Sequence, residues 1–281
     1  MSTFFVHQFV LYISKFYNEE KEAYIFGNPL SLCTGGVSSQ LKNLLALREP
    51  GLIIDVGAFD GEDAVRFSRN GGHRVYSFEP VPSKIKRIRE TIEKSGFGDL
   101  ITFFPVALSN YTGTTNFYVA KHKLGKRNRN VIVDGTEQDS FYVPWNSTHS
   151  NVIQVKVEQL DDYIKSEEVL YLKIDAQGHD SEVLLGGKKA IDEKRIKFIQ
   201  FEISPGLTRN AQVYVDVIKW LGKVGYSCFD CGYFKAMNMR GKSVDVLKME
   251  ANTFVSLLQE TVLIQRGVNV KKYTDVLCTF L

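Results

Sequence analysis

The chain has 281 residues, of which 44% are hydrophobic, and its net charge is only +3. A chain of this length can bury a sizeable core, and so small a charge gives no basis for a nucleic-acid-binding protein. The apolar stretch 4–13 is too short to span a bilayer and lacks the basic flank of a signal peptide. We therefore expect a cytoplasmic protein without stable membrane insertion.

Residues 1–50 are predicted to form a helical extension that precedes a single domain at 51–281. Aromatic and aliphatic side chains recur at helical spacing within 2–24, and a second short helix is predicted at 39–48. The first helix packs on the main domain, lies on a membrane surface or forms a homodimer. The sequence leaves these three alternatives open.

A glycine turn follows the first predicted strand, at 52–56. That strand is a short apolar run rich in β-branched residues, which is typical of a buried strand, and a helix is predicted at 62–69. Gly57 and Gly61 give the turn the spacing D-x-G-x-x-x-G, which differs from the dinucleotide spacing G-x-G-x-x-G. Three acids near the turn would repel phosphates and favour a ligand with positive charge and hydrogen-bond donors: Asp60, Glu62 and Asp63.

Glu79 ends the second predicted strand, at 74–79, and follows Asp55 by 24 residues. This offset is close to the roughly 20 residues expected for a ribose-binding acid in a strand–helix–strand unit. A carboxylate can accept hydrogen bonds from two neighbouring hydroxyl groups. Glu79 is therefore a candidate ribose ligand, and it precedes a predicted helix at 83–95 and a predicted strand at 101–104.

The chain leaves the alternation of strands and helices after this point. A strand, a turn and a second strand are predicted within 108–119, and a basic loop is inserted near 121–150. The cations of this loop are Lys121, Lys123, Lys126, Arg127 and Arg129, and aromatic residues follow them. Such a mixture is typical either of a solvated loop or of a contact with an anionic or sugar-like acceptor.

The second half returns to α/β alternation, which favours a parallel sheet covered on both faces. The predicted strands are 153–157, 169–174, 198–203, 226–229 and an antiparallel strand at 253–258, and the predicted helices are 160–165, 179–192 and 210–224. Four cysteines do not make a disulfide framework in a chain this long. Cys228 and Cys231 are interpreted as packing residues of a strand, with a metal or redox pair as the alternative.

Four motifs occur in a fixed order along the chain: D-V-G-A at 55–58, F-E-P at 78–80, V-A-L-S-N at 106–110 and L-K-I-D-A-Q-G-H-D at 172–180. From about residue 51 to residue 225 the chain resembles the FkbM family of S-adenosylmethionine-dependent methyltransferases. The resemblance implies an α/β, Rossmann-like, doubly wound domain. Its sheet would be mostly parallel and seven-stranded, of the class I methyltransferase type.

The resemblance also implies a binding site for S-adenosyl-L-methionine. The backbone around Gly57 would approach the methionine moiety, Glu79 would bind the ribose hydroxyls, and residues around Ala107 and Leu108 would flank the adenine. The expected cofactor-binding residues are Asp55, Gly57, Ala58, Phe59, Gly61, Glu79, Pro80, Ala107, Leu108 and Asp175.

Ligands of open α/β sheets bind outside the carboxyl ends of the strands. Four acids fall at or near such ends: Asp55, Glu79, Asp175 and Glu202. They are expected to form a negative crevice whose charge is compensated by the sulfonium and the amino group of the cofactor.

Asp175, Glu202 and His179 are the candidate catalytic residues, with Asp180 beside them, because each can take or orient a hydroxyl proton. The family more often has an acid at the position of Gln177. The expected reaction is O-methylation of a hydroxyl group on a small molecule or sugar. We expect no metal, because no His/Asp/Glu cluster has metal-ligand spacing.

Two other functions remain as alternatives. A nicotinamide-dependent oxidoreductase is disfavoured by the glycine spacing and by the acids after Gly57. A non-enzymatic binding module could keep the same fold, although the presence of the site acids does not favour it.

Overall fold

The computed structural model describes Leu45 and residues 48–123, 132–134, 141, 150–203, 212–230 and 274–280. The first elements agree closely with the sequence prediction. They are strand β1 at Leu52–Val56, helix α1 at Glu62–Gly71, strand β2 at Arg74–Phe78, helix α2 at Pro82–Ser95, a 3₁₀ turn at Gly98–Leu100 and strand β3 at Ile101–Phe104. Both helices end at a glycine in the left-handed conformation, Gly72 after α1 and Gly96 after α2.

A second, four-stranded sheet follows β3, and its pairing was not predicted. Its strands are β4 at Ala107–Leu108, β5 at Gly113–Lys123, β6 at Ile132–Asp134 and β7 at Ser150–Glu158, in the order β4-β7-β5-β6. Residues 121–123, which were predicted to begin the basic loop, belong to β5 and pair with β6. The remainder of that predicted loop, apart from β6, Phe141 and Ser150, lies outside the described residues.

The later elements complete the main sheet. They are a 3₁₀ turn at Leu160–Asp162, strand β8 at Val169–Ile174, helices α3 at Asp180–Gly186 and α4 at Lys188–Asp192, strand β9 at Ile196–Ile203, helix α5 at Gln212–Val224, and strands β10 at Ser227–Asp230 and β11 at Thr274–Thr279. The prediction of one helix at 179–192 is wrong, because two short helices meet at Gly187. Two consecutive glycines weaken the helix there. They also allow close packing, since a Cβ on Gly186 would lie 2.0 Å from Ser109 O.

The main sheet contains seven strands within the described residues, in the order β10-β11-β9-β8-β1-β2-β3. Neighbouring strands are parallel except at β11, which runs antiparallel to β9 and β10. The predicted fold class, a Rossmann-like and mostly parallel α/β sheet, is confirmed. The chain continues from β1 to β2 on one side and from β8 to β9 on the other. The strand order therefore reverses between β1 and β8, where ligands of such sheets bind.

The antiparallel strand was predicted in the wrong segment. Residues 253–258 lie outside the described part of the chain, and the strand between β9 and β10 is Thr274–Thr279. Cys228 of β10 and Cys278 of β11 are register partners and form a disulfide. The interpretation of Cys228 as a packing residue missed this bond, because its partner is 50 residues away in sequence. Disulfides are rare in the cytosol, so this bond gives the expected cytoplasmic location no support.

The N-terminal extension is described only at its end. Leu45 is helical and belongs to a buried apolar cluster with residues of α1 and α2. His73 fixes this junction: its Nδ1 accepts a hydrogen bond from the Gly51 amide at 3.1 Å, and its Nε2 lies 2.9 Å from Leu45 O. The predicted helix at 2–24 and its possible dimer or membrane role lie outside the described residues. No helix in the described ranges is long and apolar enough to cross a membrane.

Candidate active site

The turn after β1 and the loop after β8 touch where the strand order reverses. Gly57 has a φ of +84°, and a Cβ at this position would lie 2.1 Å from Asp175 O. The Asp175 amide donates a hydrogen bond to Val56 O at 2.9 Å. Gly57 is therefore required for contact between two strand ends, which is a different reason from close approach to a ligand. Its contact with the methionine moiety stays a prediction.

Glu79 shapes the same turn by accepting two backbone hydrogen bonds. Its Oε2 accepts from the Phe59 amide at 3.1 Å, and its Oε1 accepts from the Val81 amide at 3.1 Å. Phe59 adopts a left-handed φ of +52°, which this hydrogen bond helps to hold. Lys84 Nζ lies 3.7 Å from Oε2. These contacts fix the Glu79 carboxylate beside the turn, and its hydrogen bonds to a ribose stay a prediction.

Glu79→Ala is expected to destabilise the fold. The Phe59 and Val81 amides would lose their acceptor, and each unpaired buried amide costs about 1–3 kcal/mol. Urea denaturation measures the loss. The matched control is Asp60→Ala, which removes a carboxylate of the same turn whose hydrogen bonds are solvent-exposed. Equal stability of the two variants would show that the turn does not depend on Glu79.

Asp55 lies beneath the turn and is fully buried. Alternate residues of a strand face opposite sides, so Asp55 shares the face of Ile53, which packs with Ala64 and Val65 of α1. Lys173, its register partner on β8, donates to Asp55 Oδ1 at 2.9 Å. The structure therefore places Asp55 in a buried ion pair, and its contact with the cofactor stays a prediction.

The charge on Lys173 is fixed by the acids around it. Lys173 Nζ also lies 3.3 Å from Asp63 Oδ2 on α1. Burial lowers the pKa of Lys173, but the charges of Asp55, Asp175 and Asp63 outweigh burial and raise that pKa above its usual value. Burial raises the pKa of Asp55, and Lys173 opposes that change.

The prediction that the cofactor compensates the negative charge of the four acids is wrong in one respect. Lys173 and Lys84 already pair with Asp55 and Glu79, and sequence reasoning missed both lysines. A signal for Lys173 was present, because it is the lone cation in the apolar strand Val169–Ile174 and the strand beside it carries Asp55.

Asp175 and Glu202 lie at the ends of the adjacent strands β8 and β9, as predicted. Asp175 is exposed, and its Oδ1 accepts a hydrogen bond from Gln177 Nε2 at 2.7 Å. Glu202 is partly buried, and its amide donates to Asp180 Oδ1 at 2.9 Å. The structure thus brings two candidate catalytic acids to one edge of the sheet. Asp180, which follows the loop after β8, contacts the backbone of Glu202 at the end of β9.

His179 is enclosed at the junction of α3 with the second sheet. Its ring stacks on Phe141 at a centroid distance of 3.8 Å, and its Nε2 lies 2.9 Å from Ser109 Oγ. Its Nδ1 lies 3.7 Å from Glu182 Oε2. Burial lowers the pKa of His179 to about 4, so the ring is neutral at pH 7. These contacts fit a packing residue, and the catalytic role of His179 stays a prediction.

The predicted adenine-side residues lie close to the segment after Glu79. Ala107 and Leu108 form strand β4, and both are buried. Ala107 packs in one apolar cluster with Val81, which follows the partly buried Pro80. Within the described residues, no group of three or more His, Cys, Asp or Glu side chains could hold a metal ion.

The parallel sheet, its reversal point and the acids beside it define an α/β protein of the class I methyltransferase type. The family model described as Methyltransferase FkbM domain matches residues 55–234. This match covers more than half of the chain, so the protein belongs to the FkbM methyltransferase family.

Known proteins show more distant similarity. The 2-O-methyltransferase NoeI of Sinorhizobium fredii is 28% identical over 179 residues, which are 59% of this chain and 68% of NoeI. Methyltransferase FkbM from Methylobacillus flagellatus is 16% identical, with a TM-score of 0.42 over 64% of this chain and 39% of that one. SMU.1697c of Streptococcus mutans, solved in complex with SAH, is 10% identical, with a TM-score of 0.46 over 86% of this chain and 95% of that one. The chain therefore spans less than two thirds of the length of the Methylobacillus protein.

Proposed function

We propose that the protein is an S-adenosylmethionine-dependent methyltransferase that acts on a hydroxyl oxygen of a small molecule or sugar. The observation that carries this proposal is Glu79, a buried carboxylate that two amides hold at the end of β2. A carboxylate held at this place suits the vicinal hydroxyls of an adenosyl ribose. Membership of the FkbM family supports methyl transfer, and the name of the relative NoeI supports an oxygen acceptor.

The acceptor side of the proposed site is formed by Asp175 and Glu202. Methyl transfer is an in-line displacement at a carbon that the sulfonium activates, so the protein chiefly places the acceptor oxygen about 3–3.5 Å from that carbon. A carboxylate at this place can take or orient the hydroxyl proton. The exposed position of Asp175 suits this role, and Glu202 lies at the end of the neighbouring strand.

Cofactor identity is tested by thermal unfolding with S-adenosylhomocysteine and, separately, with NAD. A ligand at about 100 times its Kd stabilises the folded state by about 2.7 kcal/mol if it binds only that state. We expect S-adenosylhomocysteine to raise the Tm and NAD to leave it unchanged. A shift with NAD alone would contradict the proposal and indicate a nicotinamide-dependent oxidoreductase.

The acceptor is sought by incubating the protein with S-adenosylmethionine and a panel of hydroxylated sugars and small acids. The release of S-adenosylhomocysteine reports methyl transfer. Release that requires a free hydroxyl group supports an oxygen acceptor, and release with amines alone contradicts it. If the cofactor binds but no compound causes release of S-adenosylhomocysteine, the result would favour a non-enzymatic binding module with the same fold.

A further inference from the structure

Asp180 is a buried carboxyl group that links the two strand ends of the proposed acceptor side. It is the first residue of α3 and is fully buried. Its Oδ1 accepts a hydrogen bond from the Glu202 amide at 2.9 Å, and the Ala176 amide lies close enough to favour the ionised form. These two amides belong to the end of β9 and to the loop after β8.

The second oxygen of this carboxyl group differs from the first in its contacts. Asp180 Oδ2 is buried and makes no hydrogen bond to any of the described residues. Within the described part of the chain, the charged groups that act on Asp180 are Glu202 at the end of β9 and Asp175 after β8, and both are acids. A buried carboxylate without a cation is strongly unfavourable, and the same carboxyl group costs much less when it is neutral.

Asp55 is a second buried aspartate of the same protein, and it differs from Asp180 in having a cation beside it. Both aspartates are fully buried, and each has one oxygen without a hydrogen bond from the residues the structure describes, but Asp55 has the ammonium group of Lys173 at 2.9 Å. Burial and then the charge of Glu202 raise the pKa of Asp180 well above its usual value. Among the described residues no cation opposes this change, and only the backbone amides of Glu202 and Ala176 act to lower the pKa.

We propose that Asp180 is a positioning residue that remains a neutral carboxylic acid in the folded protein and holds the strand ends carrying Asp175 and Glu202. Because Asp180 is protonated, the site does not carry a third negative charge. The carboxylates of Asp175 and Glu202 can therefore stay ionised near the cofactor sulfonium. This role rests on the proposed function, since it assumes that Asp175 and Glu202 face the methyl acceptor.

The proton on Asp180 is tested by thermal unfolding as a function of pH. A carboxyl group whose pKa is raised in the folded state stabilises the fold fully only below its unfolded pKa of about 4, and this stability is lost as the pH rises. Asp180→Asn keeps the shape of a neutral acid without a proton to lose. We therefore expect it to melt above the wild type at pH 7 and close to it near pH 4.

The control for this measurement is Asp216→Asn, which changes an exposed carboxyl group on α5. Its Tm difference from the wild type is expected to stay small across the same range. If the Tm difference between Asp180→Asn and the wild type stays constant from pH 4 to pH 8, the proposal that Asp180 is protonated in the folded protein is wrong.

The effect of Asp180 on the site is tested with two ligands that differ by one charge. S-adenosylmethionine carries a sulfonium and S-adenosylhomocysteine does not, so the ratio of their Kd values reports negative charge near the sulfur. Asp175→Asn and Glu202→Gln are each expected to reduce the preference for S-adenosylmethionine about tenfold, whereas Asp180→Asn should leave it within about twofold.

Asp180→Ala removes the acceptor of the Glu202 amide, so it should weaken the binding of both ligands, and Asp180→Asn should restore it. A tenfold loss of preference in Asp180→Asn would show an ionised Asp180. Equal affinities in Asp180→Ala and the wild type would show that it positions nothing. If neither ligand binds the wild type, the proposed function is wrong. The melting curves still show whether Asp180 is protonated in the folded protein, because that measurement needs no ligand.

Discussion

Gly57→Ala is expected to lower the free energy of unfolding by about 2–5 kcal/mol. The added Cβ would lie 2.1 Å from Asp175 O, so the end of β1 or the loop after β8 would have to move. A left-handed φ costs a residue with a side chain about 1–2 kcal/mol, and overpacking in a tight contact adds about 1–3 kcal/mol. Urea denaturation measures the sum.

Gly96→Ala is the matched control because it isolates the backbone term. Gly96 has a similar φ of +76°, but a Cβ there would meet nothing within 4 Å. We expect Gly96→Ala to lose about 1–2 kcal/mol. Equal losses in the two variants would show that the contact with Asp175 O carries no energy. A substitution at Gly57 is therefore a poor test of cofactor binding, since it disturbs the fold before any ligand is added.

Lys173→Met is expected to cost about 3–5 kcal/mol, because it leaves the fully buried Asp55 without its cation. The loss should shrink as the pH falls towards about 4, where the unfolded chain also protonates this aspartate. Urea denaturation at pH 4.5 and pH 7.5 measures both effects. A loss of the same size at the two pH values would contradict a charge at Asp55.

Two further variants separate the ion pair from a general effect of removing a lysine. Asp55→Asn combined with Lys173→Met removes both charges and should recover part of the loss. Lys86→Met removes a lysine that is 88% exposed and pairs with Glu90, and it should change stability by no more than about 0.5 kcal/mol. Without recovery in the double variant, the loss would come from packing of the lysine side chain.

The main sheet was predictable because its signals are local. The apolar strand Leu52–Val56, the glycines after it and the alternation with helices are all read from neighbouring residues. The second sheet and the true position of β11 were not predictable in this way. Strand β5 pairs with β7 and β11 pairs with β9 across long stretches of sequence, and no local pattern specifies such partners.

The candidate site was predicted in position but not in its electrostatics. The acids at strand ends follow from the parallel sheet, because the carboxyl ends of its strands meet at one edge. The partners of those acids depend on side chains from other elements. Lys84 reaches Glu79 from α2, and the enclosure of His179 comes from Phe141 and Ser109, which lie beside the second sheet.

The position of β11 also imposes an order on folding during synthesis. Strand β9 ends at Ile203, but its neighbour β11 begins at Thr274, so β11 is synthesised after β10. Until then one edge of β9 has unpaired amides and carbonyls, and a nascent chain in that state exposes a template for pairing with other chains. Pairing of β9 directly with β10 would exclude β11 and has to be avoided or reversed. The β11 segment is thus the last to close the sheet, and Cys278 can then lock it to Cys228.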